Sequence, residues 1–289
     1  MRKFKEEARI LDQENVALQT WRLRLLAPRI AAEARAGQFI MLQVREGQDP
    51  LLRRPLSFHR ILPEEGVIEI LYRVVGRGTW WLSRCEPGTR LSLLGPLGNG
   101  FRLPEKQASS IVVVAGGIGI APLFELMTQL VAKNACSTPQ GIHLFYGARS
   151  AAEFLPPQAF HDLEISIHWS TDDGSLGYHG FVTRLVDQIV LGQKLCPEML
   201  YACGPLPMQY NLAKWVLAHG APSQLSLESL MACGLGACLG CALPAPHPGG
   251  SDEDHYVHVC KDGPIFPAGS ILWQKIRLYQ TAPPLFLYS

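Results

Sequence analysis

The chain has 289 residues, 47% of them hydrophobic, and its 26 Lys and Arg nearly match its 25 Asp and Glu, for a net charge of +1. That length and apolar share suit two domains with sizeable cores plus a small appendage, and the charge balance gives no electrostatic case for a nucleic-acid or anionic-membrane partner. A charged N-terminus with no apolar stretch behind it, and a longest apolar run (Ile111 to Phe124) too short for a bilayer and broken by three glycines, predict a soluble, cytoplasmic protein without a secretion signal.

Residues 1–104 read as short strands. The stretches Val16 to Leu26, Phe39 to Val44 and Val67 to Val75 are β-rich, and turn signals fall at Gly37, Pro63 to Gly66, Pro87-Gly88 and Gly95-Pro96. Regular short strands between such turns predict a small antiparallel barrel. Two patterns within it carry chemistry. Arg53 and Arg54 precede Pro55, Leu56 and Ser57, and Leu71, Tyr72 and Arg73 lead into Gly76, Gly78 and Thr79. Singly, these also suit a solvated strand rim and an ordinary turn. Together they suit a flavin nucleotide, because an arginine answers a pyrophosphate with charge-assisted hydrogen bonds, a serine hydroxyl reaches a ring nitrogen, and a Gly-Thr helix start offers N–H groups to phosphate oxygens.

Residues 105–222 change character. Ile111 to Ala115 is a continuous apolar run, as in a strand buried on both faces. It leads into Gly116, Gly117, Ile118, Gly119, Ile120, Ala121 and Pro122 and then a helical pattern from Leu123. Strand, Gly-rich turn and helix form the order of a nucleotide-phosphate loop, although Pro122 stands where the dinucleotide fingerprint has its third glycine. Further strand candidates are Ile142 to Gly147, with Arg149 just beyond; Ile165 to Ser170, with Thr171, Asp172, Asp173 and Gly174; and Met199 to Ala202, with Cys203, Gly204 and Pro205 before a helix from about Met208 to His219. Alternation of strand and helix predicts a parallel sheet with its ligand at the strand C-terminal ends, where all four loops fall. Arg149 reads either as a contact for a 2′-phosphate or as a solvated loop residue.

Residues 223–289 hold Cys233, Cys238 and Cys241, then eighteen residues, then Cys260. The C-x4-C-x2-C…C spacing is that of plant-type [2Fe–2S] sites. Gly234, Gly236 and Gly240 let a tight loop turn its N–H groups toward sulfur. Structural zinc favours two separated C-x2–4-C pairs, and disulfides suit secreted chains, so both fit the spacing less well. Tyr256 to Cys260 reads as a closing strand and Pro244 to Asp254 as a surface insertion. His247, His255 and His258 read as surface or strand residues, and Trp273, Tyr279, Phe286 and Tyr288 as a tail packed on the body or on a partner. Cys85, Cys136 and Cys196 have no partner spacing.

A barrel of flavin type, then a nucleotide domain, then a [2Fe–2S] segment resembles the ferredoxin–NADP reductase superfamily. Within it, Arg54 to Ser57, Leu71 to Arg73, Gly78-Thr79, Gly116 to Pro122, Thr171 to Gly174, Cys203 to Pro205 and the C-terminal cysteines resemble the electron-transfer subunits of class 1B dihydroorotate dehydrogenases across nearly the whole chain. The resemblance implies FAD in the barrel, with Arg54 on its phosphates, Ser57 near the ring, Pro55 and Leu56 beside it, Leu71 to Arg73 along flavin and ribityl chain, and Gly78-Thr79 at the pyrophosphate. Leu56 stands where many members carry a ring-stacking Tyr. It implies a nicotinamide site at Gly117, Gly119, Pro122, Thr171, Asp172, Asp173, Cys203 and Gly204, and a [2Fe–2S] cluster on Cys233, Cys238, Cys241 and Cys260. It also implies an oxidoreductase role in pyrimidine biosynthesis. Electrons would pass from an FMN-containing dihydroorotate dehydrogenase catalytic subunit, partnered in a heterotetramer, through cluster and FAD to NAD+. Related subunits serve ferredoxin, sulfide or hydrogenase partners, and a zinc-bound assembly module on a degenerate reductase fold is a third reading.

Overall fold

The structure, a computed structural model, describes residues 2–47, 49–192, 195–251 and 253–276. It is an antiparallel barrel, then a parallel-sheet domain, then a small cysteine-bearing segment, which is the expected fold class.

The barrel is closed by β1 (Phe4–Ala17), β2 (Thr20–Leu26), β3 (Phe39–Gln43), β4 (Arg54–Leu62), β5 (Val67–Arg73) and β6 (Arg90–Leu97), in the order β1-β2-β5-β4-β3-β6. The stretch Val16 to Leu26 is therefore not one run. It turns at Leu18 and Gln19, the latter at φ 54, and joins the end of β1 to β2. β1 itself is charged on one face and apolar on the other, with Ala8 and Ile10 buried between exposed Lys5, Glu7 and Arg9. That period of two is what a half-buried strand requires. Glu6 is buried on the inner face because its carboxylate accepts the Arg29 and Ile30 N–H groups, at 3.1 and 2.9 Å, capping α1 (Pro28–Glu33). A second short helix, α2 (Arg77–Leu82), follows β5.

The second domain has a seven-stranded sheet, β10-β9-β8-β7-β11-β12-β15. Its strands are β7 (Ile111–Gly116), β8 (Ile142–Ala148), β9 (Ser166–Thr171), β10 (Tyr178–His179), β11 (Met199–Cys203), β12 (Ser223–Ser226) and β15 (Ile265–Phe266). All neighbours are parallel except β12 and β15. Ile111 to Ala115 are wholly buried, because helices α3 (Ile120–Ala132), α4 (Val182–Gly192) and α5 (Leu206–His219) cover the sheet. The expected boundary at 222 falls just before β12, which pairs with β11 and so extends the sheet past it.

α3 also joins the two domains. Glu125 accepts the Ile61 N–H of β4 at 3.0 Å, and Phe124 meets His59 at a tilt of 41° with ring centroids 4.5 Å apart. Burial there pushes the His59 pKa down to about 3, so its ring stays neutral.

The C-terminal segment forms a hairpin of β13 (Ala242–Ala245) and β14 (His255–His258), and then donates β15 to the large sheet. Pro244 and Ala245 are thus strand residues, with Ala245 buried, and the insertion begins one residue later than Ala245. β14 stops at His258, leaving Cys260 in the turn beyond it. Asn99 ties this segment to the barrel. Its amide donates to the Asp262 and Ile265 carbonyls at 3.0 and 2.9 Å, and its side-chain oxygen accepts the Ile265 N–H. Trp273 is buried and donates to the Ala268 carbonyl; Tyr279, Phe286 and Tyr288 lie outside the described residues.

Candidate flavin, nucleotide and cluster sites

The two barrel arginines have different work. Arg53 turns back onto the barrel, donating to the Ser92 carbonyl at 2.6 Å, the Ser92 hydroxyl at 3.0 Å and the Gln43 side chain at 3.0 Å. Arg54 lies over Gly78, where a Cβ would fall 2.2 Å from its Nε, so only glycine at 78 leaves it room. It donates to the Leu52 carbonyl, which leaves further guanidinium N–H groups for an outside acceptor. The two predicted segments therefore meet. Pro55 is exposed there, and Leu56 and Ser57 are half-buried. Around the junction Leu51, Leu52, Val75 and Trp80 stand exposed. A cation ringed by uncovered apolar side chains and bare Gly76 backbone suits a flat ring system carrying a diphosphate, so these residues fit FAD.

The side chains of the other expected barrel residues are engaged within the protein. Tyr72 is buried inside the barrel and donates to Gln13 at 3.1 Å, because strand alternation turns it opposite to Leu71 and Arg73; its side chain is not available to a flavin. Leu71 is buried among the nucleotide-domain core residues. Arg73 is ion-paired to Glu153, at the nucleotide cavity. The Thr79 hydroxyl is spent on its own turn, accepting the Val75 and Gly76 N–H groups and donating to the Gly76 carbonyl.

The nucleotide cavity, about 620 Å3, opens at the C-terminal ends of β7, β8, β9 and β11. Pockets of 300–1,000 Å3 at this end of a parallel sheet are where such folds take their ligands. Gly117, Asp172 and Gly204 line it; Gly119, Pro122, Thr171, Asp173 and Cys203 do not. Gly119 instead lets the loop touch β11, since a Cβ there would fall 2.2 Å from the Cys203 carbonyl oxygen. Pro122 is buried in the first turn of α3. Thr171 is buried, donating to the Leu176 carbonyl and accepting its N–H. Asp173 holds the next turn by accepting from the Ser175 N–H and hydroxyl at 2.9 and 2.6 Å. The Cys203 thiol is buried beside Ser226 and Glu228, and desolvation pushes its pKa far up. These five shape the cavity from behind. The bare backbone at Gly117, with open space beside it for an anion, fits a dinucleotide.

Further charged residues complete this cavity: Arg73, Arg149, Glu153 and Glu228 all line it. Glu228 opens onto the cavity but is ringed by protein, and lost solvation raises its pKa. Arg73 and Glu228 arrive from other segments of the chain. Arg73, within the Leu71 to Arg73 pattern, and Arg149, at a strand end, carried a signal; Glu153 and Glu228 did not.

The cluster loop brings its four thiols together as two pairs. Cys241 and Cys260, both buried, have Sγ atoms 3.3 Å apart. Cys233, half-buried, accepts the Leu235 and Cys238 N–H groups at 3.4 Å, and Cys238 is exposed beside it. The Gly236 N–H donates to Cys260 Sγ at 3.1 Å. Desolvation raises the Cys233 pKa, but these N–H groups more than offset it and bring the thiol down to about 6; desolvation and Cys241 push Cys260 up to about 12. Among the described residues no three His, Cys, Asp or Glu side chains converge on a single-ion site. Two thiol pairs with N–H groups aimed at sulfur are a poor tetrahedral zinc cage and a good two-iron site, with two sulfurs for each iron. His247, His255 and His258 stay outside it, as hairpin residues.

Comparison with known proteins agrees with this division. Residues 228–272 match the iron–sulfur cluster binding domain of dihydroorotate dehydrogenase B, and residues 113–214 match the oxidoreductase NAD-binding domain. The dihydroorotate dehydrogenase B (NAD(+)) electron transfer subunit of Desulforamulus reducens is 38% identical over 268 residues, 93% of this chain and 98% of that protein. The subunit of the same name from Geobacillus thermodenitrificans is 39% identical over 271 residues, with the same coverage. Among solved structures, one described under flavin-based electron bifurcation by an NADH-dependent reduced ferredoxin–NADP oxidoreductase aligns with TM-score 0.79 and 26% identity, over 92% of this chain and 90% of that one. A Neisseria gonorrhoeae ferredoxin NADP+ reductase with bound FAD and NADP shares the fold at TM-score 0.60 and 20% identity, over 75% of this chain and 92% of that one. The chain belongs to the family of dihydroorotate dehydrogenase B electron transfer subunits.

Proposed function

We propose that this chain passes electrons from an FMN-containing dihydroorotate dehydrogenase catalytic subunit, through a [2Fe–2S] cluster and FAD, to NAD+. The observation that carries this reading is that the barrel touches both other sites. Gly234 of the cluster loop lies against Met41 and Leu97 of β3 and β6, so closely that a Cβ would fall 2.4 Å from Met41 Cγ. On its other side the barrel sends Arg73 to the nucleotide cavity. Both ends of the path thus meet at the barrel that carries the flavin cradle. A flavin there is required, because the cluster carries single electrons, nicotinamide exchanges two with hydride, and flavin supplies the exchange between them.

The residues divide the work. Cys233, Cys238, Cys241 and Cys260 hold the cluster, and the N–H groups of Leu235, Gly236 and Cys238 spread its charge. Arg54 binds the FAD pyrophosphate, held in place by Gly78. Gly117, Asp172 and Gly204 receive the dinucleotide, on a loop set by Gly119 and Cys203. Three units result: a barrel to residue 104, a nucleotide domain from 105 whose sheet continues through β12, and the cluster segment with its tail.

The catalytic subunit docks over the cluster, where Leu230, Leu235 and Leu239 are 87%, 43% and 58% exposed. Leu243, Ile265 and Phe266 are buried, so the docking face is narrower than the two stretches Leu230 to Leu243 and Lys261 to Phe266. A two-plus-two heterotetramer in the cytoplasm fits this reading. Among the described residues no helix is long and apolar enough to cross a membrane. The test mixes the chain, FAD and cluster in place, with the catalytic subunit, dihydroorotate and NAD+. NADH is expected with orotate; orotate without NADH under every order of addition overturns the assignment. A ferredoxin-serving role is the second reading, favoured by the bifurcating neighbour. Co-purification from the native host distinguishes them by the partner recovered.

A further inference from the structure

Arg149, Glu153 and Arg73 form one ion network at the mouth of the nucleotide cavity. Glu153 is buried, its side chain 5% exposed, and accepts from Arg73 through both oxygens, at 2.8 and 3.2 Å. Arg149 donates to the same carboxylate through Nε at 2.7 Å. Both arginines are thus tied to one carboxylate. Desolvation alone would raise the Glu153 pKa, but the two arginines overcome it and hold the group ionised. Asp172 stands next to this network. The loops after β8 and β9 are locked together there, with the Asp172 N–H donating to the Ala148 carbonyl at 3.0 Å and the Asp173 N–H to the Arg149 carbonyl at 3.1 Å.

This corner is the C-terminal end of the strand adjacent to β7, which carries the Gly-rich loop. In dinucleotide folds that position meets the adenosine ribose, where an acid accepts the 2′-hydroxyl and a free arginine takes a 2′-phosphate. Here the acid is present and the arginine is not free. The ionisable lining of the cavity is two arginines against Glu153, Asp172 and Glu228, an excess of negative charge.

We propose that Glu153 sets the discrimination against NADP by clamping Arg149 and Arg73, so that no unpaired cation faces the 2′ position while Asp172 repels a phosphate there. Glu153 is a positioning residue: it acts on the nucleotide through the two arginines. The proposal rests on the reading of this cavity as the nicotinamide-dinucleotide site.

The test uses the complete FAD- and cluster-loaded assembly, with ferricyanide as electron acceptor. kcat/KM is measured for NADH and for NADPH in the wild type, in Glu153→Gln, in Glu153→Asp and in the double variant Glu153→Gln with Arg149→Leu. The wild type should prefer NADH. Glu153→Gln should raise the NADPH-to-NADH ratio of kcat/KM at least tenfold. The gain should fall between 0.05 and 0.5 M salt, because a freed arginine acts through charge, and it should vanish in the double variant. Glu153→Asp keeps the charge but is too short to hold both arginines, so it should give about a third of that gain; it serves if Glu153→Gln loses its FAD. A merely structural link between the domains would lower both activities together and leave the ratio unmoved. An unmoved ratio in the variants that retain FAD overturns the proposal. A wild type that uses neither nucleotide overturns the reading of the cavity instead.

Discussion

Two glycine-rich loops bind the two ends of the electron path, and they weight the two uses of glycine differently. In the nucleotide loop the demand is chiefly for space, with Gly117 left-handed at φ 53. Gly119 and Gly116 have ordinary backbone angles, but a Cβ would fall 2.2 Å from the Cys203 carbonyl at the first and 2.7 Å from Met208 Sδ at the second. In the cluster loop the demand is chiefly for handedness, although Gly234 also needs its space against Met41. Gly234 and Gly236 take φ of +70 and +82, and even Leu239 is left-handed at φ 58. The nucleotide loop hangs from wholly buried β7 and is shaped by the core beneath it. The cluster loop, with Leu235, Cys238 and Leu239 exposed, has little core of its own. One site is built by packing; the other waits for the group that binds it.

The largest expected effect tests that last contrast. Removal of the cluster by chelation under anaerobic reduction should abolish hydrogen-exchange protection across 233–241 and leave β7 protected; equal loss in both would show that the loop is no more dependent on its ligand than the sheet. Cys241→Ser should likewise lose most of the iron and acid-labile sulfide while FAD stays bound, and unchanged iron or stoichiometric zinc would refute the cluster assignment. Next, Gly119→Ala should destabilise the nucleotide domain by about 3 kcal/mol, as overpacking against backbone does, read by denaturant unfolding and by weakened NADH binding. Gly236→Ala should cost only about 1–2 kcal/mol, the left-handed penalty, because the neighbour is the flexible Lys261 side chain. Smallest of all, Gly240→Ala should change stability by less than about 0.5 kcal/mol and keep the full iron content. It has no left-handed angle and meets nothing nearer than Cys238 Sγ at 3.7 Å. A large effect at Gly240 would erase the distinction between the loops.

How much of this was legible in the sequence follows from how local each feature is. The cysteine spacing, the apolar run into the Gly-rich turn and the strand-end loops are short patterns, and they located the cluster, β7 with its loop, and the cavity. The burial of the Tyr72 side chain went unread although the alternation that causes it was visible in its neighbours. β1 was missed because its charged face hid the same alternation. Glu153 and Asn99 carried no signal at all. A glutamate becomes a clamp only when β5 brings Arg73 to it from eighty positions away, and an asparagine becomes a staple only through a partner 163 residues downstream. That the sheet runs on past 222 was hidden for the same reason, since β12 is a strand by virtue of its neighbour β11.

β15 has a bearing on how the protein is made. Until Ile265 and Phe266 leave the ribosome, β12 presents an unpaired edge, and Asn99 lacks the carbonyls it will hold. An open parallel-sheet edge is an invitation to pair with another chain. Ile265 and Phe266 therefore finish both the large sheet and its junction with the barrel. A nascent chain carries all four cluster cysteines several residues before it has a closed body on which to seat them. Insertion of iron and sulfide into such a chain would act on a half-finished protein, and the orderly sequence is closure of the sheet first and loading of the metal second.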